Sequence, residues 1–220
     1  MLKNIRGLKY PEEYLVRFFF KEQLNKNEPA SKVLELGCGN GNNLMLFSEF
    51  NWRVYGVDIN KKIIRDAKFN FKKSKKKHYK FECQDMLKFT KKTINDKFDC
   101  LLLPSSLYYL PEKKIFKLFE LIKKRKILNK NCFVYFRIRL INDYRSKKGK
   151  KINNKTYKLK FNETMEFNMI NTFFKENDFV KLLKKNFDFL YLKKMKINFY
   201  NNNKNFLIDN KDLIVWGKLK

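Results

Sequence analysis

The sequence predicts an α/β protein: one open sheet of about seven strands, mostly parallel, with helices on both faces and an antiparallel hairpin strand at its C-terminal edge. Three observations carry this. Strand-like and helix-like apolar patterns alternate from residue 33 to residue 138, as crossover helices between parallel strands require. The first strand, Val33–Leu36, runs into glycines at alternate positions, Gly37, Gly39 and Gly41, and then into a helix. The chain closes with a helix and two strands joined by a turn at Asn201–Asn203, the order of an edge hairpin.

With 220 residues, 44% of them hydrophobic, the chain can bury one good core and reads as a single domain. Residues 1–30 form a helical prelude, 31–138 the core, 139–172 a loop or flap, and 173–220 the closing helix and hairpin. In the prelude, Tyr10-Pro11-Glu12-Glu13 starts a helix with Pro near its first turn. Tyr14, Leu15, Phe18 and Phe19 then repeat at helical spacing, with Arg17 beside them as a solvated residue or a contact to an acidic ligand group. Residues 25–29 are a polar break. A helix over 42–50 follows the glycine turn, then a strand Arg53–Val57 ending at Asp58. Asn60 caps the next helix, whose Ile63, Ile64, Ala67 and Phe71 share a face. Tyr79–Cys83 is a third strand and Phe98–Leu103 a fourth, apolar enough to be buried on both sides. A helix over 111–128 and a fifth strand over Cys132–Ile138 complete the core. Residues 142–155 read as a loop, 157–167 as a strand pair or flap, 173–186 as a helix, 187–200 as a long strand, and 212–218 as the last strand.

No apolar run approaches the ~18–20 residues that span a bilayer, and charges through the first twenty residues break any signal-peptide core. Cys38, Cys83, Cys100 and Cys132 lack paired metal-ligand spacing. No metal is expected, and the thiols read as free in a reducing, cytoplasmic compartment. The net charge of +29 invites a nucleic-acid partner. Against that, lysine outnumbers arginine about five to one and alanine occurs only at Ala30 and Ala67. That skew follows AT-rich codons, whereas phosphate-reading surfaces enlist arginine for its planar fork.

In open α/β sheets, ligands collect at the carboxyl ends of the strands. Those ends carry Glu35 and the glycines, Asp58, Asp85, and Pro104 with Ser105. Singly, each acid suits a loop or helix cap; together, at successive strand ends, they suit a nucleotide-like ligand. The glycine spacing departs from the dinucleotide pattern G-x-G-x-x-G. The third glycine comes early, and Asn42 stands where a dinucleotide turn has glycine.

Leu34-Glu35-Leu36-Gly37-Cys38-Gly39-Asn40-Gly41, Gly56-Val57-Asp58-Ile59 and Gln84-Asp85-Met86 together resemble the class I S-adenosylmethionine-dependent methyltransferases. The resemblance covers residues 31 to about 138. It implies a three-layer, Rossmann-like sheet, S-adenosylmethionine as methyl donor, and enzymatic methyl transfer. By the same resemblance, Gly37, Gly39 and Gly41 pass beneath the methionine part. Asp58 holds the ribose, Ile59 flanks the adenine, and Asp85 with Met86 defines its edge. Glu35, Cys38 and Pro104 complete the cofactor-binding set.

The catalytic group is not fixed by the sequence; the candidates are Tyr108, Tyr109, Arg137 and Tyr144, with Arg139, Asp143 and Arg145 close by. Arg137 and Arg139 share a strand face, and either pack against acids or bind an anionic substrate. His78, the single histidine, precedes the third strand and lies at the wrong end of the sheet. The base-amino signature (N/D/S)-P-P-(Y/F) is absent after strand four, where Leu103-Pro104-Ser105-Ser106 stands. The cytosine-type Pro-Cys is absent too. A small-molecule acceptor, accepting at O or N, is the favoured reading. An RNA methyltransferase and a non-catalytic cofactor-binding subunit are the alternatives.

Overall fold

Two aromatic-rich clusters, one on each face of a single sheet, organise the fold. The computed structural model describes residues 2–26, 30–92, 96–160, 166–203 and 206–220. After the helix α1 (Glu13–Lys21) come β1 (Lys32–Leu36), α2 (Asn42–Glu49), β2 (Arg53–Asp58), α3 (Lys61–Lys73), β3 (Tyr79–Cys83), α4 (Met86–Lys91), β4 (Phe98–Leu103), α5 (Glu112–Arg125) and β5 (Leu128–Leu140). The short strands β6 (Gly149–Lys151), β7 (Thr156–Leu159) and β8 (Ile170–Phe174) follow. Then come α6 (Glu176–Asn186), β9 (Phe189–Asn203) and β10 (Phe206–Leu219).

The main sheet has the order β3-β2-β1-β4-β5-β10-β9. Its first five strands are parallel, and β10 lies antiparallel between β5 and β9. Strand order reverses between β1 and β4, which opens a crevice at their carboxyl ends. The seven-strand expectation describes this sheet; β8, β7 and β6 add a small ribbon. β8 pairs in parallel with the far end of β5 at Arg139 and Leu140, and β7 and β6 continue antiparallel.

Helices α1, α2 and α3 bury Phe18, Phe19, Phe47, Ala67 and Phe71 against one face. α4, α5 and α6 bury Phe89, Leu118, Phe119, Phe179 and Leu183 against the other. α3 begins where Asn60 Oδ1 accepts the Lys62 and Ile63 N–H groups. β4 is covered on both sides, with Leu101, Leu102 and Leu103 fully buried. Among the described residues, no helix is long and apolar enough to cross a membrane.

Several details differ from the expectation: the last strand begins at Phe206 rather than 212, and residues 149–151 of the expected loop form β6. α4 is a short helix whose start is Asp85; its six residues carry too few apolar repeats to announce a helix. β5 begins at Leu128 rather than Cys132, because Leu128 pairs with Phe98 across a register irregularity despite the polar Asn129–Asn131. Phe173 and Phe174 belong to β8 rather than to the following helix. Both are buried, one on each side of the strand, and α6 starts at Glu176. β9 runs through Asn201–Asn203, so these three residues are strand rather than turn; 204–205 lie outside the described residues, as do 27–29 of the polar break and 161–165 of the flap.

Gly56, in the middle of β2, sits under the Phe81 ring and Cys38; a Cβ there would lie 2.6 Å from Phe81 and 2.7 Å from the Cys38 sulfur. Gly56→Ala is expected to cost about 1–3 kcal/mol by overpacking, read as a lower denaturant midpoint at unchanged slope.

Candidate active site

The turn after β1 is shaped by two different glycine requirements. Gly37 has φ +83°, and a Cβ on it would lie 2.3 Å from the Ser106 Cβ. Its absence lets Ser106 donate a hydrogen bond to the Leu36 carbonyl at 2.6 Å, which draws the loop after β4 against the end of β1. Gly39 has φ +52°, and a Cβ there would meet nothing within 4 Å. It is kept for conformation and for an open approach to its backbone. The turn is tied to β2 by the Gly37 and Cys38 N–H groups, which both donate to the Val57 carbonyl at 2.7 and 3.0 Å.

Asp58 ends β2 facing this turn. Its Oδ2 accepts the Gly39 N–H at 3.0 Å and its Oδ1 the Asn60 N–H at 2.9 Å. Asp85, at the end of β3, accepts the Leu87 and Lys88 N–H groups on Oδ1 and so caps α4. Gly37, Asp58, Ile59, Asp85 and Met86 line one cavity of about 540 Å³, within the roughly 300–1,000 Å³ of small-molecule sites. Ile59 is 72% exposed at its rim. The facing wall comes from Ser105, Ser106, Tyr109, Leu110, Met169 and Ile170. Met169 and Ile170 are invisible to a motif search, because the β7–β8 connection brings them from far down the chain. Ser106 carries a local signal, a small polar residue two positions after a buried strand's Pro stop.

The other residues expected around the ligand are not among those lining the cavity. The Cys38 side chain is buried under the turn beside Gly56, so only its backbone faces outward. Gly41 is the N-terminal cap residue of α2 and lies against the Phe71 and Phe81 rings. Pro104 is buried behind Ser105. Glu35 is buried beneath the start of α2, where its Oε1 accepts from Asn43 Nδ2 at 2.8 Å. Its Oε2 has no hydrogen-bond partner among the described residues. Burial raises the Glu35 pKa to about 8; the Asn43 hydrogen bond opposes that rise, and the nearby Glu12 and Asp58 charges add to it.

Beyond the carboxyl end of β4, three arginines are enclosed with acids. Arg137 bonds Glu12 at 2.7 Å and Asp212 through Nε at 2.9 Å. Burial disfavours its charge, but Asp212 and Glu12 more than offset that, so its pKa lies above the ordinary value. Arg139 bonds Glu166 at 2.8 Å and also Asn171, with the Tyr108 ring 4.0 Å away. Arg145 joins Glu166 at 2.7 Å and Asp143 at 2.9 Å. Arg137 and Arg139 thus both pack against acids.

Tyr109 donates its hydroxyl to Glu166 at 2.9 Å, and burial and the adjacent Tyr108 push its pKa up. It is thus held as a phenol at neutral pH. Tyr108 is buried beside Arg139. Tyr144 lies outside the cavity, with its N–H on the Asp209 carbonyl and its ring beside Arg145. His78 stands at the amino end of β3, where its carbonyl accepts from Val54. Arg17 is exposed and paired with Glu13 one helical turn away. Among the described residues, no group of three His, Cys, Asp or Glu side chains could hold a metal ion.

A family model described as a methyltransferase domain matches residues 27–186. A curated relative, the ubiquinone biosynthesis O-methyltransferase of Pelagibacter ubique, is 32% identical over 133 residues, covering 58% of this chain and 50% of that protein. The chain thus spans about half the length of the curated relative it matches. Among solved structures, an S-adenosylmethionine-dependent methyltransferase from Methanosarcina mazei superposes with a TM-score of 0.66 at 18% identity, covering 90% of this chain and 98% of that one. One from Clostridium acetobutylicum gives 0.63 at 18% identity, covering 91% and 89%. Magnesium protoporphyrin IX methyltransferase from Synechocystis, solved with S-adenosylmethionine bound, gives 0.57 at 14% identity, covering 93% and 78%.

Glu166 neutralises two buried arginines at once. Glu166→Ala is expected to cost about 3–5 kcal/mol, because Arg139 would keep its charge without a carboxylate. Chemical denaturation against the wild type checks this.

Proposed function

The chain belongs to the family of S-adenosylmethionine-dependent methyltransferase domains, and on that premise we propose that it transfers methyl groups from S-adenosylmethionine to an oxygen or nitrogen atom of a small molecule. One observation carries the reading. Gly37, Asp58 with Ile59, and Asp85 with Met86 come from three separate strand ends and line a single cavity, with the Gly39 N–H bonded to Asp58 beside it.

The residues fit the donor. Gly39 leaves open space above its backbone, and Glu35 Oε2 is a buried acceptor with no donor among the described residues. Each Asp58 oxygen accepts one N–H, and a carboxylate oxygen has capacity for a second donor. Gly37 and Gly39 would pass beneath the methionine part, Asp58 would take the ribose hydroxyls, and Ile59 and Met86 would cover the adenine beside Asp85. When bound, S-adenosylmethionine supplies an electrophilic sulfonium methyl, and what the chain adds is alignment of the nucleophile. With Tyr109 held as a phenol and Arg137 paired, the reading assigns no general base. It favours an acceptor whose nucleophile has a proton of low pKa, or none.

The paired arginines also narrow the acceptor. Arg137, Arg139 and Arg145 all face carboxylates, which favours an uncharged acceptor over an anionic one. The name of the Pelagibacter ubique relative, an O-methyltransferase of ubiquinone biosynthesis, supports oxygen. A further neighbour, the N-terminal domain of EvdMO1 solved with S-adenosylhomocysteine and D-fucose, matches with a TM-score of 0.65 at 13% identity and supports a small-molecule acceptor. An RNA acceptor has less support, since Arg6 and Arg17 are paired as well and few arginines are left to grip phosphates. Free cysteines at Cys38, Cys83, Cys100 and Cys132 support a reducing, cytoplasmic setting.

Calorimetric titration is expected to show S-adenosylmethionine binding in the micromolar range. Asp58→Ala should weaken it at least tenfold while the circular dichroism spectrum is retained, and Gly39→Arg should abolish it. Absence of binding to the wild type overturns the reading. A labelled methyl donor incubated with a metabolite extract then identifies the acceptor, and label appearing only in RNA would overturn the small-molecule part.

A further inference from the structure

The N-terminal segment 6–12 crosses the glycine turn and is fastened there by side-chain amides rather than by apolar packing. Leu8 and Tyr10 are exposed. Asn40 Nδ2 donates to the carbonyls of Arg6 at 2.6 Å and Leu8 at 2.7 Å, and Asn42 Nδ2 to that of Tyr10 at 2.8 Å. On α3, Asn70 accepts the Arg6 N–H at 2.9 Å and returns a bond to the Arg6 carbonyl at 3.0 Å.

The strap ends at Glu12, the residue before α1. The Glu12 carboxylate takes bonds from Arg137 at 2.7 Å and the Tyr135 hydroxyl at 3.1 Å. Its backbone N–H donates to Asn43 Oδ1 at 2.9 Å. A backbone N–H can only donate, so Oδ1 must face it and Nδ2 must face Glu35, to which it donates at 2.8 Å. One buried amide therefore joins the strap to the carboxyl near the end of β1.

We propose that Glu12 and Asn43 are positioning residues of the donor site: strap, amide and carboxyl form one relay that holds Glu35 with only Oε2 left to meet a cationic group of the donor. The proposal rests on the donor reading above. In the free protein Glu35 is flanked by Glu12 from the strap, Asp58 from β2, and the buried thiols of Cys38 and Cys100. None of these offers it a positive charge. Near neutral pH it therefore keeps its proton, consistent with its pKa near 8. A cation arriving at Oε2 favours the carboxylate, so the proton leaves as the donor binds. Affinity then rises with pH up to the free-state pKa of Glu35 and levels off above it.

The two positioning residues act on that pH midpoint in opposite directions. The Asn43 hydrogen bond favours ionised Glu35, so Asn43→Ala moves the midpoint to higher pH. The Glu12 charge disfavours it, so Glu12→Gln moves the midpoint to lower pH. A purely structural role would weaken binding alike at every pH.

The test is titration calorimetry of the full chain with S-adenosylmethionine from about pH 6 to about pH 9, in two buffers of different ionisation enthalpy, with thermal melts as the folding control. The wild type should release close to one proton per donor at neutral pH and Glu35→Gln none. Asn43→Ala should bind about tenfold more weakly at pH 7, as a one-unit midpoint shift implies. Should Glu12→Gln not fold, Asn43→Ala and Glu35→Gln carry the test. Midpoints unchanged from the wild type in the folded positioning variants, or wild-type binding without proton exchange, would overturn the proposal. No wild-type binding at any pH would overturn the donor reading itself.

Discussion

Where β1 and β4 part, the Ser106 hydroxyl bonds the Leu36 carbonyl, and Gly37 lets it come that close. Much of the site hangs on this approach. It sets the position of the loop after β4, and that loop presents Tyr108 and Tyr109. Tyr109 reaches Glu166, Tyr108 lies beside Arg139, and the Leu110 carbonyl takes the Thr172 hydroxyl at 2.7 Å. The β6–β8 ribbon is thereby joined to the loop, and Met169 and Ile170 close the cavity opposite Asp58 and Asp85. A side chain at position 37 would separate these two halves before it touched any ligand.

The second constraint is charge. A chain with a net charge of +29 places three arginines beside its site and faces each with carboxylates. Such enclosed pairs contribute little net stability, because desolvation offsets their attraction, yet losing one partner is costly. What they supply is geometry. Arg137 holds the N-terminal strap through Glu12 and the hairpin through Asp212, while Arg139 and Arg145 hold the ribbon through Glu166. The lysine excess is a surface property, whereas the buried balance beside the site is close to neutral.

The parallel core was legible in the sequence because it is coded locally: alternating periods, apolar strands such as Leu101–Leu103, and a glycine turn followed by acids at successive strand ends. Asp58, Ile59, Asp85 and Met86 could be placed because each directly follows a readable strand. Features that depend on distant partners were hidden. Cys38 and Pro104 belong to the right stretches, yet their side chains turn into the core. Arg137 looked available for a substrate because nothing near it in sequence discloses Glu12 or Asp212. Phe173 and Phe174 fit a helix stripe until β5 is seen beside them. Asn40, Asn42 and Asn43 read as ordinary turn residues, and only the strap lying across them reveals what their amides hold.

The Glu12–Arg137–Asp212 junction has a consequence for how the protein is made. Its links close loops of 125 and 75 residues, so it joins the strap, β5 and β10. During synthesis the five parallel strands can leave the ribosome and pack while Arg137 still lacks Asp212, and β5 still lacks the β10 edge that shields it. The nascent chain thus carries a half-neutralised, partly buried arginine and an open strand edge until β10 emerges. Neutralisation of Arg137 and protection of the β5 edge are one event, delivered by the β9–β10 hairpin.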